Sequence, residues 1–284
     1  MLSDATEFVV VCARNDEESL QIIKITEAFK IPCFVSLQPH GARLEKEPDF
    51  LQRLADDYSH AKRLVVIEMP GVEMEARLVE LGYEVSIIDH HRYPGLDRMK
   101  QESSLEQFLS FFAIENVDLE RHGFDPLLVR SVGVIDRGFF WELAKEGFSE
   151  EDRRKAIAYY LALRDELALF NPEAADEARR IFEAREERDG ILIFQGAQAR
   201  FRIREELSFL LAEHYPDQEP TSIIFERDGK VSVQNTLFAN TLSERFGGYQ
   251  FGKGLCWGKM LEEPTSGRDT LPTLFELLEI ISSV

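Results

Sequence analysis

Cysteine is scarce in this chain of 284 residues: Cys12, Cys33 and Cys256 are too few and too scattered for a disulfide framework. That usage points to a reducing compartment. Long apolar runs are absent as well. Stretches such as 8–12 and 31–37 are of strand length, so no segment reads as a bilayer span. The opening MLSDATE lacks the basic end and apolar stretch of a secretion signal. A soluble, cytoplasmic protein with no membrane partner is expected. Positive charge is also in deficit, with 33 Lys and Arg against 52 Asp and Glu, a formal net charge of −19. Broad binding to duplex DNA works by neutralising phosphates with basic side chains, and this balance argues against it. A local basic pocket for a small phosphorylated ligand stays open.

What is present is enough apolar residue, 44%, to bury a real core, over a length suited to one large domain or two unequal ones. Apolar runs at 7–12, 31–37, 63–67 and 83–88 alternate with helix-period segments at 19–30, 49–58 and 73–81. That alternation predicts an α/β domain, a mostly parallel sheet with helices on both faces. From 104 to 187 the period is helical, in pieces 104–114, 126–146, 149–169 and 172–186. The last is polar on most faces and reads as a solvated helical linker, ended by Gly190. A second alternating region follows, with strands at 191–194, 221–225 and 230–234 and helices at 205–215, 238–246 and 271–281. The expected organisation is a domain over 1–187 and a smaller α/β domain over 188–284.

Polar clusters fall directly after three of the strands: Cys12 to Glu18 after the first, Glu68 after RLVVI, and Asp89-His90-His91 after YEVSII. In open α/β sheets ligands bind beyond the carboxyl ends of the strands, so these clusters would share one edge. Asp136, a lone acid in an apolar helical segment, is costly to bury without a partner and joins the candidates. Other readings stay open for some of these. Cys12 ends an apolar strand, where a thiol also serves as a small buried hydrophobe. Glu68 precedes Met69-Pro70-Gly71 and also reads as a turn acid. Cys33 and Cys256 are assigned to packing, and His40, His60, His122 and His214 to the surface.

Ile87-Ile88-Asp89-His90-His91 resembles the signature of the DHH phosphoesterase superfamily, and the order of other motifs extends the resemblance over about residues 5–260. Cys12, Asp16 and Glu18 stand at the spacing of the family's first motif, His, Asp, Asp. Glu68, 21 residues before Asp89, stands at the second motif, and Asp136-Arg137-Gly138-Phe139-Phe140 resembles the fourth. Lys230 to Gln234 resembles the strand of the DHH-associated domain, with Gln234 at its arginine. Gly247-Gly248-Tyr249 and Gly252-Lys253-Gly254 resemble its glycine-rich loop, with Tyr249 at its histidine. The departures are Cys12, Glu18 and Glu68 at metal positions, Gln234 and Tyr249 at substrate positions, and Arg137 where a small hydroxyl residue is usual.

The resemblance implies a DHH-type catalytic domain followed by a DHH-associated substrate-binding domain. It implies a metal-dependent phosphoesterase acting on a short oligonucleotide, nucleotide or cyclic dinucleotide in a cleft between the domains. Two Mn²⁺ ions are the implied cofactors, with Mg²⁺, Zn²⁺ or Co²⁺ as substitutes. Cys12, Asp16, Glu18, Glu68, His90 and Asp136 would be ligands, Asp89 would orient His90, and His91 would face the phosphate. Arg14, Arg92 and Arg137 lie beside the motifs as a local basic set. With Gln234, Gly247, Gly248, Tyr249 and Lys253 they make up the expected substrate-binding residues. Tyr249, Phe251 and Trp257 read either as base-stacking rings or as packing beneath the loop. The partner expected is a small phosphorylated ligand, a short single strand included, with a homodimer left open. The alternative function is a catalytically impaired relative that binds a nucleotide or phosphate as a sensor. An arginine filling the metal space would favour that alternative.

Overall fold

The computed structural model describes residues 7–93, 96–252, 254–261 and 270–282. Lys253 lies outside the described residues, as does the side chain of Arg92. The chain forms two compact units, one of Met1–Arg137 with Glu146–Leu169, the other of Gly138–Lys145 with Phe170–Val284.

In the first unit β1 (Phe8–Ala13), α1 (Glu17–Phe29), β2 (Cys33–Ser36), α2 (Phe50–Asp57), β3 (Arg63–Ile67), α3 (Val72–Glu80) and β4 (Glu84–Ile88) alternate along the chain. The four strands form one parallel sheet in the order β2-β1-β3-β4. A short hairpin, β5 (Arg92–Tyr93) with β6 (Leu96–Asp97), precedes the helices α4 (Ser104–Phe111), α5 (Asn116–Arg121), α6 (Pro126–Lys145) and α7 (Glu150–Glu166). Strand side chains alternate between faces, and both faces of this sheet are covered. Val10, Cys12, Val65, Ile67 and Ile88 pack with α1, α4, α6 and α7, while Val9, Val11, Phe34, Leu64 and Val66 pack with α2 and α3. Burial on both sides explains why the strands read as continuous apolar runs.

Register then places the site. Cys12 lies beside Ile67, and Ile67 beside Ile88, so β1, β3 and β4 end level with one another. Ala13 pairs with Ser36, which brings the residues after β2 to the same edge. Everything the chain places just after these strands is therefore collected at one rim.

The second unit contains α8 (Pro172–Glu183), β7 (Glu186–Arg188), β8 (Ile191–Gln195), α9 (Arg204–His214), β9 (Ser222–Glu226), β10 (Lys230–Gln234), α10 (Ala239–Phe246), β11 (Tyr249–Phe251), β12 (Cys256–Met260) and α11 (Leu274–Ile281). Its six-stranded mixed sheet runs β11-β12-β10-β9-β8-β7, with β8 and β9 parallel and the other pairs antiparallel. The expected linker helix is corrected here. Helix α8 buries Ala174, Glu177, Ala178 and Phe182, and Phe182 packs against Phe194 of β8. Residues 186–188, expected in the same helix, instead begin the sheet. The polar letters of this segment concealed a narrow apolar stripe, one residue per turn, that suffices to dock it.

Helix α6 runs from the first unit into the second, and its backbone leaves the helical region at Phe139 (φ 60°, ψ −168°). Residues other than glycine rarely hold such angles without cost. Among the described residues no helix is long and apolar enough to cross a membrane.

Candidate metal centre

Four side chains from four elements meet at the rim of the parallel sheet. Glu18 comes from the first turn of α1, Glu68 from the residue after β3, His90 from the loop after β4, and Asp136 from α6. One donor atom from each can be chosen so that all lie within 4.8 Å of one another. His90 Nε2 lies 2.9 Å from Asp136 Oδ2 and 3.1 Å from Glu68 Oε1. Glu18 is 2% exposed and the His90 side chain 9%, so these charges are largely removed from water.

Second contacts fix the orientation of the carboxylates. The Leu105 N–H at the start of α4 donates to Glu18 Oε1 (2.9 Å), and the Ser104 hydroxyl donates to Glu68 Oε1 (2.7 Å). Glu68 itself sits at φ 50°, in the left-handed region, with its N–H bonded to the Ile88 carbonyl (3.1 Å). A non-glycine residue there marks a position held by its surroundings. Glu18 Oε2, Asp136 Oδ2 and His90 Nε2 are buried without a hydrogen bond of good geometry. Buried polar atoms almost always find a partner. Glu18 Oε2 is left without a partner and His90 Nε2 faces Asp136 and Glu68 only as an ion pair, an arrangement that fits a cation: carboxylate oxygens with one imidazole are donors suited to Mn²⁺ or Mg²⁺, with Zn²⁺ accepted.

The electrostatics agree with crowded negative charge. Burial, then repulsion from Glu68 and Asp136, raises the Asp16 carboxyl to about 7. Glu18 is pushed well above the usual carboxylate range by burial and by Asp136 and Glu68. Burial would raise Glu68 too, but the bond from His90 and the charges of both histidines hold it down at about 2. Burial would lower His90, yet its contacts with Asp136 and Glu68 overrule this and push it up to about 12. In the protein without metal, a proton on His90 partly does what a cation would do.

Asp89 holds a different partner from the one expected. It is 1% exposed, and its Oδ1 accepts the His91 N–H (3.0 Å) and lies 3.1 Å from His91 Nδ1. It therefore orients His91, not His90. The Tyr93 hydroxyl donates to the same oxygen (3.3 Å). Behind it Arg98 lies 3.7 Å from Asp89 Oδ2 and binds both oxygens of Glu75 at 2.6 Å. A chain Glu75–Arg98–Asp89 thus backs His91, which is 43% exposed at the rim. Burial would lower His91, and Asp89 and Glu68 raise it.

The remaining expected residues lie outside the four-donor group. Cys12 is fully buried in the core; its thiol faces the carbonyls of Ala13 (3.7 Å) and Ser19 (3.9 Å), and burial pushes its pKa well above the usual range. Its place in the core fits the small-hydrophobe reading, since strand alternation turns position 12 to the α1 side of the sheet, and the nearby charges of Asp16, Glu68 and Glu18 raise the thiol further. Asp16 caps α1, accepting the Ser19 N–H at 2.8 Å, and lies at the rim but outside the four-donor group. Arg14 reaches the Glu166 carbonyl (3.2 Å), and Arg137 is held by Glu106 (3.1 Å) and Glu146 (2.8 Å). Neither arginine fills the metal space.

In the second unit Gln234 is 5% exposed and donates to the Ser208 hydroxyl (3.1 Å). Gly247 ends α10 at φ 71° and its carbonyl accepts the Trp257 indole N–H (2.8 Å). At Gly248 a side chain would strike the Gly258 carbonyl oxygen at 2.3 Å, so glycine there serves close strand approach. Trp257 is fully buried in the core, which corrects the base-stacking alternative for that ring; Tyr249 is exposed beside Phe251. Sequence reasoning missed Ser104, Glu75, Arg98 and Tyr93. Only the adjacency of Tyr93 to the signature was a signal, since the rest are brought in by folding.

No protein-family model and no curated protein matches the chain. Among solved structures it is similar to the exonuclease RecJ bound to manganese, at 13% identity over 90% of this chain and 86% of that one, with a TM-score of 0.41. It is also similar to PggH, a pGpG-specific phosphodiesterase from Vibrio cholerae, at 10% identity over 92% and 95% of the two chains, with a TM-score of 0.43.

Proposed function

We propose that this protein is a metal-dependent phosphoesterase of the DHH type, acting on a small phosphorylated substrate such as a short oligonucleotide, a nucleotide or a cyclic dinucleotide. The observation that carries the reading is the convergence of Glu18, Glu68, His90 and Asp136 on one point, with Glu18 Oε2 buried and without a hydrogen bond. These four would hold one divalent ion. A bound ion of this kind lowers the pKa of a water and offsets charge on phosphoryl oxygens. Ser104 and the Leu105 N–H keep the carboxylates in place. Asp89 fixes Nδ1 of His91, which leaves Nε2 as the ring atom to exchange a proton with the substrate.

The withdrawal of Cys12 into the core removes one donor expected for a second ion, and this favours a second reading, a phosphate-binding sensor without turnover. The test is to titrate metal-stripped protein with Mn²⁺ and then assay phosphate release from nucleotides, dinucleotides and cyclic dinucleotides. Binding of about one ion per chain with turnover, both lost in His90→Ala, is expected. Binding without turnover on any substrate selects the sensor. No binding removes the metal centre from both readings.

A further inference from the structure

Beside the centre, within the first unit, lies a cavity of about 160 Å³. Its lining joins Asp16, Glu68 and His91 of the rim to Asn15, His40 and Arg43. The last two belong to the segment that leaves the sheet after β2, and the register of β2 with β1 delivers that segment to the same edge.

The segment is built to stay there. The Gln38 amide closes it, accepting the Arg43 N–H (3.2 Å) and donating to the Arg43 carbonyl (3.0 Å) and to Glu47 (2.8 Å). Asn15 in the turn after β1 donates to the Pro39 carbonyl (3.2 Å), tying the segment to the rim. Main-chain atoms of Arg43 make these bonds, so its guanidinium is not spent on them. Among the described residues neither Arg43 nor His40 has an ion-pair partner. In a chain with net charge −19, that is a choice of partner left open. Arg53, by contrast, is paired with Glu47 at 2.6 Å, Arg98 with Glu75 and Arg137 with two glutamates.

We propose that Arg43 and His40 are the side chains that receive the phosphoryl group at this site, so that selectivity is set by the phosphate and not by a base. The proposal rests on the phosphoesterase reading above and names its substrate class, small esters with an accessible phosphoryl group. Guanidinium suits phosphate oxygens because its planar donors bind two at once. The volume supports a group of that size, being about half the roughly 300 Å³ at the small end of ordinary ligand pockets. A cation set against a ring of carboxylates also admits an anion that the rim would otherwise repel.

The experiment measures inorganic phosphate binding by calorimetry to full-length protein, with and without saturating Mn²⁺, for wild type, Arg43→Ala, Arg43→Lys and His40→Ala. The Mn²⁺ affinity of each is measured separately. We expect Arg43→Ala to weaken phosphate by about tenfold or more, as for loss of a charge-assisted pair. Lysine should restore part of the affinity, His40→Ala should cost less, and Mn²⁺ affinity should hold within about twofold. Phosphate affinity unchanged in Arg43→Ala, or no phosphate binding by wild type, overturns the proposal. If wild type binds no Mn²⁺, the phosphoesterase reading fails, and the metal-free titrations still decide the role of Arg43.

Discussion

Buried polar groups of the two units differ in their partners, although Glu226 Oε2 and Ser232 Oγ of the second unit are also buried without a hydrogen bond. In the second, Glu177 is 6% exposed and one oxygen accepts the N–H groups of both Arg200 (2.8 Å) and Phe201 (3.0 Å); Gln234 is likewise engaged with Ser208. These side chains complete the fold. In the first unit Glu18 is buried and Asp136 and His90 half-buried, with charged atoms gathered at one point and Glu18 Oε2 lacking a hydrogen bond. Such an arrangement costs stability unless something compensates it. What sets the first unit apart is the meeting of such atoms with Glu68 in one four-donor group. Gln234 is engaged with Ser208, whereas Glu68 faces His90 within the four-donor group.

The largest expected effect attacks the unpaired side of this contrast. His90→Ala or Asp136→Ala should lower Mn²⁺ affinity by more than about 100-fold, since even supporting residues around a metal cost 10–100-fold. Gln234→Ala should leave that affinity unchanged. Calorimetry on metal-stripped protein checks both, and equal losses at Gln234 and His90 would erase the distinction.

Next, Glu177→Ala should destabilise the protein by about 1–3 kcal/mol, because the N–H groups of exposed Arg200 and half-buried Phe201 lose their acceptor. Urea unfolding followed in the second unit measures this. Glu18→Gln, at a site equally buried, should do the reverse in metal-free protein. It removes repulsion while keeping an acceptor for Leu105, and should stabilise by about 1 kcal/mol. A destabilised Glu18→Gln would show that Glu18 is structural.

A smaller effect concerns the chain behind His91. Arg98→Ala should reduce turnover about tenfold with Mn²⁺ affinity retained, because Asp89 loses the charge that steadies it. The ring ¹⁵N shifts of His91 should show a mixture of tautomers in place of one. Normal shifts with reduced turnover would place the effect of Arg98 elsewhere.

The smallest effect is the pH dependence of the metal-free protein. Asp16, raised to about 7, and Glu18, raised further, bind protons more tightly folded than unfolded. Their contribution is complete below the ordinary carboxylate pKa and is lost as pH rises, for Asp16 through about 7. Glu68, held at about 2, acts oppositely and loses its contribution only as pH falls from 4.5 toward 2. Thermal melts should therefore fall between pH 5 and 8 in the metal-free protein, and Mn²⁺ should flatten the slope. A melt rising with pH over that window would contradict the crowding of Asp16 and Glu18 by Glu68 and Asp136.

Much of the fold was legible because periodicity reports burial directly. The strands 63–67 and 230–234 have the expected bounds, and the other strands of the parallel sheet shift by a few residues at most. The paired strands 92–93 and 96–97, helix 116–121 and strands 186–188, 249–251 and 256–260 went unread. All are short, and the short strands are shaped by pairing with distant segments more than by their own pattern. Of the site, the sequence itself determined which chemical groups stand at strand ends, and the parallel register then brings strand ends together.

Only the tertiary structure decided which of those groups meet. Position 12 and position 18 are six residues apart, yet strand alternation sends Cys12 into the core while the first turn of α1 sends Glu18 into the cluster. Asp89 chose His91 over His90, and Arg14 and Arg137 were drawn to Glu166, Glu106 and Glu146 while Arg43, from a segment the motifs never touch, came to line the cavity. A sequence fixes which side chains can carry charge. Which charges stay unpaired depends on distances between residues far apart in the chain, and those exist only once the sheet and its helices have packed.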